Sequence, residues 1–401
     1  MQRTSIDIAI VNYRGAADTL QALARLAHWP NGTVWLVDNS AHEADMAADA
    51  AALQQTVMSL REAQRRGNPG SADRPCAKLL TPGSNLGFGR ACNLAFAESS
   101  SDFFLLLNPD ARISNENVLA LAEALTKQPR LGAVSPKIYW NEQHSFVLPA
   151  AFAQTPWYHV AQALATHSRR MAQWAALQGI VRAMRQMAGA EMVDVRFLAG
   201  SVLLLRRTAV LRAGGLFDPD YFMFYEDSDL SLRLRRAGYR LALVPGACAV
   251  HEYRHKAFKG ELMAQSQRQY FSKQYPLFYR LSGQLKRVPR LARPVLLGDW
   301  FKVLKQPITS AEEFATQTGG AGVLALSPTM LMMPAMFRPS MADARCLDDR
   351  EWALLEPASY VALLQGPNGN SGWTWVYFER AALCDHSPAD TGLDHGGHGK
   401  K

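Results

Sequence analysis

Short unbroken apolar runs alternate with longer segments of helical spacing along the first 140 positions. "SIDIAIVNY" (5–13) is apolar at nearly every position and predicts a buried strand. "AADTLQALARLAH" has helical spacing, and "GTVWLVDNS" (32–40) predicts the next strand. This strand–helix–strand opening implies a parallel sheet with right-handed crossovers. Residues 41–75 read as a helix followed by a polar loop with Gly and Pro. "GSNLGFGRACNLAFAES" is a Gly-containing turn running into a helix, "DFFLLLNPDA" a buried strand ending in a polar turn, "NVLALAEALTKQ" a helix and "LGAVSPKIY" a strand. "VRFLAGSVLLLRRTAV" predicts strand then helix. "DPDYFMFYEDSDLSLRLRRAGYRLALVP" predicts an aromatic loop, a helix stopped at Gly238, and a strand.

Two regions break the rhythm. Residues 143–190 contain no Asp or Glu but carry Arg169, Arg170, Arg182 and Arg185, with Met171, Trp174, Leu177, Val181 and Met184 at helical spacing. The pattern suits a basic amphipathic helix on an anionic membrane, or a helix packed on the domain with a solvated basic face. After about residue 285 the chain turns basic and Pro-containing ("LKRVPRLARPVLLGDWFKVLK"), as a linker or surface helix would. The β-prone runs around "QGPNGNSG" then predict a hairpin. The expected organisation is a large α/β domain over 1–285 with 143–190 as a helical insertion, an accessory region over 286–384, and a disordered tail over 385–401.

Composition narrows the function classes. The chain has 401 residues, 48% of them hydrophobic, which is ample for a large core. Its formal net charge of +8 suits an anionic partner. No aromatic-basic motif of a nucleic-acid binder accompanies that charge, so nucleic acid is not an expected partner. The five cysteines (76, 92, 248, 346, 384) are scattered and form no CxxC pair, which argues against a disulfide framework or zinc ribbon and fits a reducing compartment. The N-terminus lacks a signal-peptide layout, and no apolar run reaches the ~18 to 20 residues of a spanning helix. The expectation is a soluble chain with scope for peripheral membrane contact.

"HEYRH" (251–255) fits H-E-x-x-H, the zinc-protease signature. That chemistry needs both His on one helix face. The segment instead follows a Pro-Gly turn and a short strand-like run, with no helix start ahead of His251, so the protease reading is set aside.

Four other places carry candidate chemistry. Asn108-Pro109-Asp110 ends a buried strand, where a carboxylate can hold a hard divalent cation that in turn holds a diphosphate, or can simply form a turn. Asp38 ends another buried strand and could accept from a ribose or base, or cap a turn. Gly87 and Gly89 precede a helix whose N-terminus favours phosphate, but neither G-x-G-x-x-G nor a Walker A loop is present. "YEDSDL" places Glu226, Asp227 and Asp229 at a helix start. Capping and the helix dipole explain part of this, while crowding raises a carboxylate pKa and suits a general base.

The order of these parts is more specific than any one of them. "IVNYRG", "LVDNS", "NLGFGRACN", "LLNPD", "FLAGSVLLLRR", "FMFYEDSDLSLRLRRAGY" and "VH", over roughly residues 5–255, resemble the family 2 glycosyltransferases of the rhamnosyltransferase-like bacterial branch. The resemblance implies a GT-A fold, a Rossmann-like α/β domain with a mostly parallel central sheet. It implies an inverting enzyme using a nucleotide-diphosphate sugar and Mn2+ or Mg2+. By the same resemblance Asp227 is the catalytic base and Glu226 its neighbour. Asn12, Tyr13, Asp38, Asn85, Gly87, Arg90 and Asn108 would contact the nucleotide sugar, and Gly200, Tyr225 and Asp229 the acceptor. Asp110 and His251 would hold the metal. The sequence departs from the pattern at Asn108, in the first D-x-D position, and at Arg14, where many members have Asn.

The function these features imply is transfer of a sugar to a lipid-linked or growing saccharide in bacterial surface-polysaccharide synthesis, in the cytoplasm or at the inner face of its membrane. Two other readings compete. A nucleotidyltransferase would show a Gly-rich, Lys/Arg-bearing loop after the first strand, where "NYRGAADT" offers one Arg and one Gly. A catalytically inactive saccharide-binding or scaffold subunit would be expected to lack Asp110 or Asp227, and both are present.

Overall fold

The apolar runs become strands because both of their faces are covered. In β1 (Ile6–Asn12), Ile6, Ile8 and Ile10 enter one core while Ala9 and Val11 enter another on the opposite face. In β4 (Phe103–Leu107), Phe103, Leu105 and Leu107 face the first core and Phe104 and Leu106 the second. Helices α1 (Ala16–Arg25), α2 (Ala47–Arg66) and α4 (Asn115–Lys127) close the first core, through residues such as Leu23, Leu53 and Leu121. Helices α3 (Gly87–Glu98), α7 (Arg207–Arg212) and α8 (Glu226–Arg236) close the second, through Cys92, Val210 and Leu230. The computed structural model describes residues 4–26, 29, 31–66, 76–149, 154–165, 169–189, 191–252, 259–285, 301–329, 332, 335–366 and 373–381.

The sheet is mixed. Strands β2 (Thr33–Asp38) and β3 (Cys76–Leu80) run parallel beside β1, and β4 runs parallel on its other side. β9 (Val202–Arg206) then inserts antiparallel between β4 and β6 (Leu131–Tyr139). β10 (Arg240–His251) lies parallel to β6 and antiparallel to the short strands β5 (Ala111–Ile113) and β8 (Val193–Val195). Its register shifts between Val244 and Cys248, so the Pro245-Gly246 step is a bulge inside one strand rather than a turn between two. His251 is the last residue of β10, which removes the helix an H-E-x-x-H site requires. His255 lies outside the described residues.

The C-terminal strands continue this sheet. β7 (Val147–Leu148) pairs with β6, and β13 (Met336–Phe337) pairs with β7 through Phe337 and Val147. Beyond them β12 (Gly322–Ser327) and the antiparallel pair β14 (Ser359–Gln365) and β15 (Trp373–Glu379) extend it, with β11 (Lys302–Val303) at the edge. The linker expected ahead of them (286–300) and the tail (385–401) lie outside the described residues.

The acid-free segment forms α5 (Pro156–Ala165) and α6 (Arg169–Ala188). Ala172, Ala176, Ile180, Met184 and Met187 of α6 are buried in one cluster with Val147, Leu243, Phe337 and Val361, so one face of the helix packs on the protein. α9 (Lys259–Gln274) and α10 (Pro276–Leu285) follow β10, and Tyr270 and Phe271 of α9 pack with Tyr225 and Phe197.

Candidate active site

Asn12 and Asp38 end adjacent parallel strands in register, which brings their side chains together. Both are buried. Asn12 Nδ2 donates to Asp38 Oδ1 at 2.9 Å, and Asn12 Oδ1 accepts from Thr19 Oγ1 at 2.9 Å. Ser40 adds its hydroxyl at 2.9 Å and its N–H at 3.2 Å to the same Asp38 oxygen. A carboxylate with one oxygen held by three donors is fixed in direction before any ligand arrives. Tyr13 is 44% exposed at the rim, and Arg14 next to it is drawn away to Glu43 and Asp45.

Asn39 carries the β2 end to the Gly-rich turn. Its Nδ2 donates to Asn85 Oδ1 at 2.8 Å and to the Gly87 carbonyl at 3.3 Å, and its Oδ1 accepts from Leu86 N–H at 3.0 Å. Gly87 has φ +76°, and a Cβ there would sit 2.2 Å from the Phe222 carbonyl oxygen. Only glycine permits both that backbone and that approach. Phe88 N–H then donates to the same carbonyl at 2.9 Å, which docks the aromatic 218–225 loop on the start of α3. Arg90, expected at the nucleotide, is exposed and donates from Nε to the Pro219 carbonyl at 2.6 Å.

The strand-end tripeptide meets the end of β10. Asp110 Oδ1 lies 3.0 Å from His251 Nε2, and Asn108 Nδ2 lies 3.5 Å from the same nitrogen. His251 is buried, while Asp110 is partly open. Among the described residues no group of three His, Cys, Asp or Glu gathers as a metal cage. One carboxylate and one imidazole sharing a point of contact nevertheless fit a divalent cation whose remaining ligands are diphosphate oxygens.

Glu226 and Asp227 begin α8 directly after two left-handed non-glycine residues, Phe224 (φ +69°) and Tyr225 (φ +67°). Such strain collects at functional sites. Asp227 Oδ2 accepts from Gly200 N–H at 3.1 Å, and Oδ1 from Ser228 N–H at 2.6 Å and Ser228 Oγ at 3.3 Å. Glu226 is buried, and among the described residues its Oε2 has no hydrogen-bond partner. Burial, then the adjacent Asp227 charge, pushes the Glu226 carboxyl up to about 8. Burial also raises Asp227, against the donors that favour its charged form. Glu226 is therefore protonated near neutral pH, while Asp227 keeps three donors that favour its charged form.

The Gly200-Ser201 step connects these groups. Asn108 N–H donates to the Ser201 carbonyl at 2.8 Å while Gly200 N–H holds Asp227. The Asp110–His251 contact and the Asp227 carboxylate thus approach one short loop from different elements.

Two residues assigned to the acceptor have their polar atoms engaged inside the protein. Asp229 is fully buried, with Oδ2 paired to Arg233 Nε at 2.6 Å and Oδ1 accepting from Gln274 Nε2 at 2.7 Å. Arg233 goes on to donate to the carbonyls of Ala213, Gly215 and Leu216, so Asp229 anchors that loop. Tyr225 is buried among aromatics, and its hydroxyl accepts from Gln267 at 2.8 Å and donates to Gln154 Oε1 at 3.4 Å. Sequence reasoning passed over Thr19, Asn39 and Ser40. The signal for Asn39 and Ser40 was the polar "NS" directly after the strand-end Asp38. A separate cavity of about 370 Å³ beside Gly322, Met341 and Gln365 has Arg345 on its wall, whose guanidinium is committed to Asp348 and Glu351.

The family profile described as "Glycosyltransferase like family 2" matches residues 6–272. The chain belongs to that family. This family 2 glycosyltransferase is 30% identical over 192 residues to the N-acetylglucosaminyl-diphospho-decaprenol L-rhamnosyltransferase of Mycobacterium tuberculosis (strain CDC 1551 / Oshkosh), covering 45% of this chain and 60% of the relative. It is 44% identical over 75 residues to the rhamnosyltransferase WbbL of Escherichia coli (strain K12), covering 17% of this chain and 28% of that one. The matched segments thus span less than two thirds of either relative. Among solved structures it is similar to the mannosyltransferase PcManGT from Pyrobaculum calidifontis in complex with GDP-Man and Mn2+. That match has a TM-score of 0.44 and 17% identity, over 69% of this chain and 65% of that one.

Proposed function

We propose that this chain is an inverting glycosyltransferase that moves a sugar, with rhamnose the first candidate, from a nucleotide-diphosphate donor to a lipid-linked or growing saccharide. The product would be part of a bacterial surface polysaccharide, made in the cytoplasm at the inner face of the membrane. The observation that carries the reading is Asp227, a carboxylate oriented by Gly200 N–H beside a loop that also receives the Asn108–Asp110 turn. The names of the mycobacterial and enterobacterial relatives support rhamnose, and the mycobacterial name supports a lipid-linked acceptor.

In this reading Asp38, fixed by Asn12 and Ser40, accepts from the nucleoside, and the Asn85–Gly87 turn approaches the donor. Asp227 takes the proton of an acceptor hydroxyl as its oxygen bonds to the anomeric carbon. The bond to the diphosphate breaks on the opposite face, which inverts the centre. Asp110 and His251 would hold Mn2+ or Mg2+, which when bound supplies positive charge against the departing diphosphate. Glu226, raised to about 8, is protonated near neutral pH and adds no second negative charge beside the base.

The test is a donor screen. Purified protein with Mn2+ or Mg2+ is incubated with UDP-, dTDP- and GDP-sugars, with membrane extract supplying acceptors, and released nucleotide diphosphate is detected. Release from one donor, abolished by EDTA and by Asp227→Asn, is the expected result. No release from any donor overturns the reading in favour of a non-catalytic saccharide-binding subunit.

A further inference from the structure

The helices beside the base carry an outward face that the other described residues leave uncovered. At about 100° per residue, Trp174, Arg182 and Arg185 of α6 lie within about 80° of one another. They stand on the side opposite the buried Ala172, Ala176, Ile180 and Met187. Trp174 is 66% exposed, and both arginines are exposed. Trp157 on α5, which packs on α6, is 81% exposed. α10 shows Leu277 at 71% and Leu281 at 50%, one turn apart, with the exposed Arg280 between them. α9 links α5 to α10. His159 of α5 packs edge-on against Phe271 of α9 at 4.3 Å, and Phe271 packs against Phe278 of α10.

The chemistry of this face is selective. Neither the 143–190 segment nor α10 contains an Asp or Glu. Indole rings exposed beside arginines match the head-group zone of a bilayer, where Trp partitions at the interface and Arg meets lipid phosphate. A protein-facing surface of this size would be expected to mix charges of both signs at its rim. No helix among the described residues is long and apolar enough to cross a membrane, so the contact would be interfacial. The face also borders the reaction centre. Gln154, just ahead of α5, accepts at its carbonyl from Tyr270 and at its side chain from Tyr225, the residue before Glu226-Asp227.

We propose that the outward faces of α5, α6 and α10 dock on an anionic lipid bilayer and so hold Asp227 at the head-group level. The proposal rests on the transferase reading for its purpose, because a lipid-linked acceptor presents its sugar at that level. Its physical content stands on the exposed Trp and Arg face.

The full chain would be sedimented with vesicles of phosphatidylcholine alone and with vesicles containing about 30 mol% phosphatidylglycerol. Binding to the anionic vesicles, weakened by salt, is expected. Trp157→Ala with Trp174→Ala, and separately Arg182→Glu with Arg185→Glu, should each lower the partition coefficient roughly tenfold or more while leaving the thermal melt unchanged. No binding to anionic vesicles, equal binding to both compositions, or variants that bind like the parent overturns the proposal. Light scattering that shows a dimer dissolved by either pair overturns it in favour of self-association. Asp227→Asn should bind vesicles like the parent. Vesicle binding without nucleotide release would sink the transferase reading alone, and release with a soluble acceptor but no vesicle binding would sink the docking surface alone.

Discussion

Gly200 N–H donates to Asp227 Oδ2 at 3.1 Å across 27 positions of sequence, whereas the neighbouring Glu226 Oε2 receives no hydrogen bond from any described residue. Two adjacent carboxyls are thereby made unequal. Burial raises both carboxyls, but at Asp227 donors that favour the charged form oppose it. Asp227→Asn should lower kcat by about 10²–10⁴. Glu226→Gln, which imitates the protonated acid, should stay within roughly tenfold of the parent. Steady-state nucleotide release would measure both, and equal losses would show that the pair acts as one shared-proton unit.

The same inequality sets a pH dependence of stability. Glu226 is raised from 4.5 to about 8 in the folded protein. Between those values the folded state binds more protons than the unfolded chain, so stability falls as pH rises through the window. The favourable contribution is complete below about pH 4.5 and gone above about 8. Asp227, also raised, acts with the same sign. Glu226→Gln removes the titration and should flatten the profile, gaining on the parent by on the order of a few kcal/mol at pH 9 relative to pH 5. Urea unfolding at the two pH values measures the difference, and a gain at the acid end would contradict the assignment.

Gly87→Ala places a Cβ 2.2 Å from the Phe222 carbonyl oxygen at φ +76°. The cost should be about 3 kcal/mol or more, because the 218–225 loop would have to leave α3. Gly179→Ala is the matched control. It lies inside α6 with nothing within 4 Å of the added methyl, and should stabilise by about 0.5–1 kcal/mol. Thermal melts of the two variants should move in opposite directions.

What the sequence shows and hides follows from the range of each interaction. β1, β2 and β4 are legible because two-sided burial forces continuous apolar runs, and Asp38 and Asp110 are legible because each ends such a run. The burial of Asp229 is hidden by the crowd of acids around it, although Arg233 four residues on was a local hint of an ion pair. The apolar stripe of α6 announces an amphipathic helix but not its cover. That cover comes from Val147, Phe337 and Val361, up to about 190 residues distant in sequence. The single-pair join of β7 to β13 is equally remote, so the accessory strands read as separate while they extend the same sheet.

His251 and Asp110 meet at 3.0 Å, and each should contribute to metal dependence in its own way. Asp110→Asn keeps the size and removes the charge, so the divalent-ion concentration for half-maximal nucleotide release should rise at least about tenfold. His251→Ala removes a buried ring as well and should also lower the melting temperature. A metal titration of activity measures the first effect. An unchanged half-saturating concentration in both variants would move the cation elsewhere.

Arg338 and Glu351 are each 1% exposed and pair at 2.5 Å, with a second contact from Arg338 NH2 at 3.0 Å. Arg338 also lies over the Phe146 ring at 3.9 Å and donates to the Ser145 carbonyl, so it grips the strand β7 that joins the two parts of the sheet. Glu351→Ala leaves this guanidinium buried without its counter-charge and should destabilise by about 3–5 kcal/mol. The loss should exceed that of Asp348→Ala, whose pairing with Arg345 is exposed. Because β13 carries the sheet across to β7, unfolding should remain one transition shifted to lower denaturant. A split into two transitions, with the 301–381 region melting first, would show that the strand junction does not couple the extension to the catalytic fold.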